Sequence, residues 1–326
     1  EKKYPKARNR IVQTGFDNLM KAKPALVMDK ANTARIKLGN LEDDFKKLAD
    51  CDLIIEVVVE NLKIKQELFG KIDKIRKPTA IITTNTSGLP LQEISKGLSK
   101  EFKAHFMGTH FFNPVRYMHL LELIPGAETK KEILEFLADF GEKRLGKGIV
   151  WAKDTPNFIA NRIGAYALFA AMRTMVEGGY TIEEVDAITG IPMGRPKSAS
   201  FRTADMVGLD VLAKVAQNVR DNVQDASEKD AFSIPPFLAK MIETGLLGDK
   251  AQKGFYKKTM DMTGTKIYAF DYNTMDYVLQ RKAGLPILEE VKRLADPGAG
   301  LQKLAYSDDR AGRFAWKSLK KMLLYC

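Results

Sequence analysis

Three short runs of branched and aromatic residues constrain this chain more than anything else in it: Asp52-Leu-Ile-Ile-Glu-Val-Val-Val59, Thr79-Ala-Ile-Ile-Thr-Thr84 and Phe106-Met-Gly-Thr-His-Phe-Phe112. Each has strand length, and a continuous apolar run predicts a strand covered on both faces, as in a parallel sheet. Between them, Lys63 to Ile75 and Leu91 to Leu98 carry the helical period. Alternation with short connections leads to right-handed βαβ units and an α/β, Rossmann-like, doubly wound sheet. After the Asn113-Pro114 break, Met118 to Ile124 predicts a strand, Lys130 to Leu145 a helix and Gly148 to Ala152 a last strand, so the sheet ends near Lys153.

The flanks read differently. Lys6 to Lys23 predicts an amphipathic helix with Ile11, Val12, Phe16 and Leu19 near one face, ended by Pro24, and Leu41 to Ala49 predicts a second. Beyond Thr155 the period becomes helical: a long apolar helix runs to about Glu177 and stops at Gly178-Gly179, and Thr181-Ile-Glu-Glu184 opens the next as a capping box. Further helices fit Thr203 to Asp221 and Pro235 to Glu243, giving an all-α second domain. From Met260 the pattern is less regular, with helices at Leu285 to Ala295 and Arg313 to Leu324. The expected division is a dinucleotide-type domain over 1–153, a helical domain over 154–260, and 261–326 as a linker with the start of a second helical-domain copy.

Composition excludes classes of function. At 326 residues with 45% hydrophobic and 29% charged, the chain belongs with folded globular proteins. No apolar run approaches the about 18 residues of a membrane span and the opening residues hold no apolar leader stretch, so a cytoplasmic location without an integral membrane segment is expected. Two cysteines and three histidines leave no disulfide framework and few metal combinations, and no metal is expected. The net charge of +11 suits anionic partners, but no nucleic-acid-binding motif accompanies it.

Open α/β sheets bind ligands at the carboxyl ends of their strands. There the sequence places Glu60-Asn61, Asn85-Thr86-Ser87, His110 and Asn113. Glu122 sits twelve residues beyond His110 inside Leu120-Leu-Glu-Leu-Ile124, where a strand, a turn and a returning strand bring the two together. A carboxylate in such a run needs a partner, because an unpaired buried charge costs several kcal/mol. His119 is excluded as that partner, since in an extended segment it faces with Leu121, away from Glu122. On these residues alone the pair is equally a general base with its orienting carboxylate or a structural His–Glu contact.

The segments Ile55-Glu-Val-Val-Val-Glu-Asn61, Thr84-Asn-Thr-Ser87, Gly108-Thr-His-Phe-Phe-Asn-Pro-Val115, Glu122-Leu-Ile-Pro125, Lys153-Asp-Thr-Pro-Asn-Phe-Ile-Ala-Asn-Arg162, Pro192-Met-Gly194, Asp205-Met-Val-Gly-Leu-Asp210 and Lys253-Gly-Phe-Tyr256, in this order, resemble the 3-hydroxyacyl-CoA dehydrogenase family of fatty-acid β-oxidation. The resemblance implies His110 as catalytic base, Glu122 as its orienting carboxylate, Ser87 contacting substrate and cofactor, and Asn161 near the reacting carbonyl. It implies Glu60, Lys65, Ser87, Asn113 and Lys250 around NAD, an acyl-CoA substrate, and no metal.

The chain also departs from the family pattern. No G-x-G-x-x-G occurs before Asp50, so relative to the family the first βα unit is missing, and an N-terminally incomplete piece is expected. Pro192-Met-Gly-Arg-Pro-Lys197 adds Arg195 and Lys197, which meet CoA phosphates or form a solvated turn. The residues past Tyr256, with Asp309-Arg-Ala-Gly-Arg-Phe-Ala-Trp-Lys317, resemble the opening of a second helical-domain copy in long multifunctional bacterial proteins; pairing with such a copy, or a homodimer, is expected. Two alternative functions remain at this stage: a β-hydroxy acid dehydrogenase that acts without CoA, and a non-catalytic acyl-CoA-binding module.

Overall fold

In the computed structural model, which describes residues 8–261 and 264–326, a helix α1 (Arg10–Lys21) precedes a five-stranded sheet whose strands lie in chain order. These are β1 (Leu53–Glu56), β2 (Ile81–Thr84), β3 (Phe106–Phe111), β4 (Leu120–Pro125) and β5 (Gly148–Trp151). β1, β2 and β3 are parallel, β4 runs antiparallel to β3, and β5 is parallel to β4. The connections are α2 (Leu62–Asp73), the short α3 (Leu91–Ile94) and α4 (Lys100–Ala104), and α5 (Lys131–Leu145). Phe69 of α2, Phe102 of α4 and Phe106 of β3 form an aromatic cluster with ring centroids 5.2–5.7 Å apart, while Met107, Leu121 and Leu123 meet Leu137 of α5. Each buried ring contributes about 2–3 kcal/mol relative to exposure.

Several expectations are corrected. The run Asp52–Val59 is not covered on both faces: β1 holds only four residues at the sheet edge, and Ile55, Val57 and Val59 are 44%, 68% and 64% exposed. An unbroken apolar run hides the period-2 alternation that would have shown one face turned outward. The doubly wound sheet is mixed, because β4 returns alongside β3. The Leu41 to Ala49 helix is a turn followed by a 3-10 helix over Phe45–Asp50, and Ile11 of α1 is exposed. The start of the first predicted helix at Lys6 lies outside the described residues.

The chain divides into two compact units, Glu1–Thr155 and Pro156–Cys326. The second contains α6 (Ala160–Gly178), α7 (Ile182–Thr189), α8 (Phe201–Val207), α9 (Leu209–Asn222), α10 (Ala226–Ala231) and α11 (Pro236–Glu243). It is helical, as expected, up to Glu243; from the end of the expected helical domain into the expected linker, β6 (Tyr256–Asp261), β7 (Gly264–Asp271) and β8 (Asp276–Leu279) form an antiparallel sheet instead, followed by α12 (Pro286–Lys292), α13 (Pro297–Ala305) and α14 (Arg310–Tyr325). The strands escape detection because β6 carries lysines on both faces. The single helix expected over Thr203 to Asp221 breaks at Gly208, whose φ of 99° suits glycine.

The predicted capping box at Thr181 and Glu184 is present, and Gly179 ends α6 in the left-handed conformation. Arg310 of α14 binds the same Glu184 at 2.8 and 3.0 Å, donates to the terminal carbonyls of Gly178 and Gly179, and lies 4.0 Å over the Tyr180 ring. The tail thus caps the first long helix of its own unit, with a cation where the helix dipole favours one.

Candidate active site

β3 and β4 decide the position of the central pair. In their antiparallel register His110 stands directly opposite Glu122, and the His110 Nδ1–H donates to Glu122 Oε2 at 2.7 Å. Both are buried, at 4% and 0% exposure, and the Phe112 ring meets the imidazole edge-to-face at 4.6 Å. The rival His119 is exposed and lies 3.3 Å from the carbonyl oxygen of Gly146. Fixing Nδ1 to a buried carboxylate sets the ring's orientation and its tautomer.

At the ends of β1 and β2 a second cluster forms. Lys65 is fully buried and its ammonium contacts both oxygens of buried Glu56 at 2.9 Å. Glu56 also accepts from the Thr84 hydroxyl at 2.6 Å and the Val58 N–H at 2.5 Å. Lys65 reaches the half-exposed Glu60 at 3.4 Å, and Glu60 in turn accepts from the Ser87 N–H at 2.9 Å and the Thr86 hydroxyl at 2.5 Å. Lys65 therefore acts through Glu60, tying the loop that bears exposed Ser87 to the end of β1. Asn85 adds a brace by accepting from the Phe111 N–H at 2.9 Å. Asn113 is exposed just beyond β3.

Asn161 and Lys250 belong to the second unit. Asn161 lies in the first turn of α6, which is entered through two residues with positive φ, Asn157 at 60° and Phe158 at 51°. The buried Asn157 side chain donates to the Val215 carbonyl at 3.1 Å, and this holds the sparsely populated backbone. Lys250 is ion-paired with Asp210, whose carboxyl is held below its ordinary range by that ammonium.

Sequence reasoning missed Glu56, Lys147 and Asp154. Lys147 is buried and donates to the carbonyls of Val115 and Met118, the latter at 2.7 Å, clamping the loop after Asn113. Asp154 accepts from Leu91 N–H at 2.9 Å and Gln92 N–H at 3.2 Å, capping α3. Glu56 was legible as an acid inside an apolar run; the other two carry no local signal.

The motifs of the second unit do structural work. Asp205 accepts from the Phe255 and Tyr256 N–H groups at 2.8 and 2.9 Å, and Asp186 accepts from Ser200, Phe201 and Arg202 N–H groups and the Tyr256 hydroxyl at 2.7–3.1 Å. Burial pushes each of these carboxyls up to about 6 despite the donors.

The fold and site geometry can now be set beside known proteins. The model of the NAD binding domain of 3-hydroxyacyl-CoA dehydrogenase matches residues 1–155, and that of the C-terminal domain matches 158–258. The chain belongs to the 3-hydroxyacyl-CoA dehydrogenase family. A probable 3-hydroxyacyl-CoA dehydrogenase of Bacillus subtilis is 51% identical over 98% of this chain, which spans only 40% of that relative's length. One from Deinococcus radiodurans is 44% identical over 78% of this chain and 72% of its own. The solved (S)-3-hydroxybutyryl-CoA dehydrogenase of Ralstonia eutropha is 30% identical with a TM-score of 0.64, over 75% of this chain and 83% of that one. As a member of this family, the chain carries its NAD-domain match on the mixed sheet and its C-terminal match on α6 to β6. The polar groups at the ends of β1 to β3 suit the nicotinamide end of NAD; among the described residues no Gly-rich strand-to-helix turn is present for the pyrophosphate. Among the described residues no helix is long and apolar enough to cross a membrane, and no cluster of three His, Cys, Asp or Glu could hold a metal.

Proposed function

We propose that the chain is the dehydrogenase part of a longer, multifunctional protein that oxidises L-3-hydroxyacyl-CoA to 3-oxoacyl-CoA in fatty-acid β-oxidation. The observation that carries this reading is the buried His110–Glu122 pair at 2.7 Å, at the carboxyl end of β3. His110 Nε2 takes the 3-hydroxyl proton as C3 loses its hydride, and Glu122 stabilises the imidazolium that forms. NAD, when bound, supplies the hydride acceptor. Ser87 and Asn161 orient the substrate oxygen, and Glu60, Asn113 and Lys250 border the nicotinamide, with Lys65 holding Glu60 in place. The length of the Bacillus relative, of which this chain covers 40%, supports a multifunctional parent. In that parent, the end of the segment 261–326, from Asp309 on, opens a second helical-domain copy.

The test is NADH oxidation with acetoacetyl-CoA by the full-length protein. His110→Gln is expected to keep acyl-CoA binding and lower turnover by about 10²–10⁴-fold. Near-normal turnover would remove His110 from the reaction, and equal rates on free acetoacetate would replace the CoA substrate with a small β-hydroxy acid.

A further inference from the structure

Away from His110, the second unit holds an open pocket of about 970 Å³ bounded by α7, the turn containing Lys197, the 3-10 turn Asp249–Ala251, one face of the three-stranded sheet and the 280–283 segment. That is the size range of small-molecule sites, about 300–1,000 Å³. Ile267 lies on its floor, with Lys258 directly opposite across β6 and β7, and the Gln280 N–H donates to the Ile267 carbonyl at 2.9 Å. Strand alternation separates Lys258 from Lys257, whose ammonium sits 5.4 Å over the Tyr277 ring, so the two lysines serve opposite faces.

The charges lining the cavity do not cancel. Five cations line it, Lys197, Arg202, Lys258, Arg281 and Lys282, against three carboxylates: Asp249, paired with Arg202 at 2.5 and 2.9 Å, Asp186, held by four N–H and O–H donors, and Glu183, which accepts the Arg281 N–H at 3.2 Å. Lys197, Lys258 and the Arg281 guanidinium line the same space and, among the described residues, form no ion pair. Uncompensated cations around a concave apolar floor recognise an anion with an apolar or heterocyclic body. A duplex or a bilayer would need a broad, flat basic face instead.

We propose that this cavity binds a phosphorylated small molecule of nucleotide size, its phosphates on Lys197, Lys258 and Arg281 and its body on Ile267, Ala187 and Ala283. The ligand chemistry has two sources, a free nucleotide or the nucleotide end of CoA. Calorimetric titration of the chain with ADP, adenosine 3′,5′-bisphosphate, CoA and inorganic phosphate reads it directly, independently of any dehydrogenase activity. At least one nucleotide is expected to bind, more weakly in high salt. The double variant Lys258→Gln/Arg281→Gln should lose about tenfold or more in affinity while keeping its melting temperature. If CoA and the bisphosphate displace ADP, the site takes the coenzyme's nucleotide end; if ADP binds beside CoA, it takes a free nucleotide. Absence of nucleotide binding at millimolar concentration overturns the proposal. So does binding that the double variant leaves intact, as a nucleotide held in the first unit would show. Should the double variant melt early, Lys197→Gln, on an exposed turn, gives the same reading.

Discussion

Glu56 and Glu122 in the first unit are buried against side chains, the Lys65 ammonium and the His110 imidazole, whereas buried Asp205 and partly buried Asp186 in the second are held by backbone N–H groups and a tyrosine hydroxyl. The two solutions serve different ends. A carboxylate held by N–H groups fixes a chain crossing, so Asp205 joins α8 to β6 and Asp186 anchors the start of α8. A carboxylate set against an imidazole orients a group that can gain or lose a proton. Carboxylates thus meet basic side chains in one unit and backbone donors in the other.

The comparison breaks first, if it is wrong, in kinetics. Glu122→Gln should lower turnover of the full-length protein about 10²-fold or more, while Asp205→Asn, at an equally buried carboxylate, leaves turnover of the folded fraction nearly unchanged. Equal losses would erase the distinction. The next largest effect is on stability. Lys65→Met leaves Glu56 buried without its cation and should cost about 3–5 kcal/mol in urea unfolding, and adding Glu56→Met should restore most of it. If the double variant is no better than the single, the pair is not the source of the loss.

A smaller effect sharpens the architectural side. A Cβ on Gly254 would meet Asp205 Oδ1 at 2.1 Å and the Gly248 Cα at 2.6 Å. Gly254→Ala should therefore destabilise the second unit by about 1–3 kcal/mol. Trp316 reports that unit once Trp151, in the first, is replaced by Phe, and an unchanged urea midpoint would show that the crossing is loose. The smallest effect is in pH. Asp186 and Asp205 titrate near 6 when folded and near 3.8 otherwise, so the folded unit retains protons that the unfolded chain releases. Their contribution to stability is full below about 3.8 and lost as pH rises through about 6. Between pH 4 and 6.5 the Trp316 midpoint in the Trp151→Phe background should fall relative to that of the same background carrying Asp186→Asn/Asp205→Asn; parallel profiles would contradict the shift.

Much of the first unit is legible without coordinates, because strand, helix and turn each leave a local pattern there. The five strands, and the meeting of His110 with Glu122, follow from apolar runs and one returning strand. The second unit is legible where caps announce it, as at Thr181 and Gly179, and illegible in β6 to β8, whose strands mix lysine, threonine and aromatic residues on both faces. The helix α13 had a signal in Asp296-Pro297, a cap followed by proline at the first helical position, that a longer apolar stripe would have made plain.

The sequence by itself determined the alternation that builds a Rossmann-like sheet, the family, and the side chains able to carry acid–base chemistry, because these depend on periodicity and residue type along the chain. Only the tertiary structure decided what each of those side chains touches. It buried Lys65 against Glu56, placed Glu60 between Lys65 and Ser87, turned Ile55 and Val57 outward at the sheet edge, and gathered Lys197, Lys258 and Arg281 around one cavity. Residues up to 84 positions apart along the chain meet only when strands register and helices pack, and no local pattern encodes that distance.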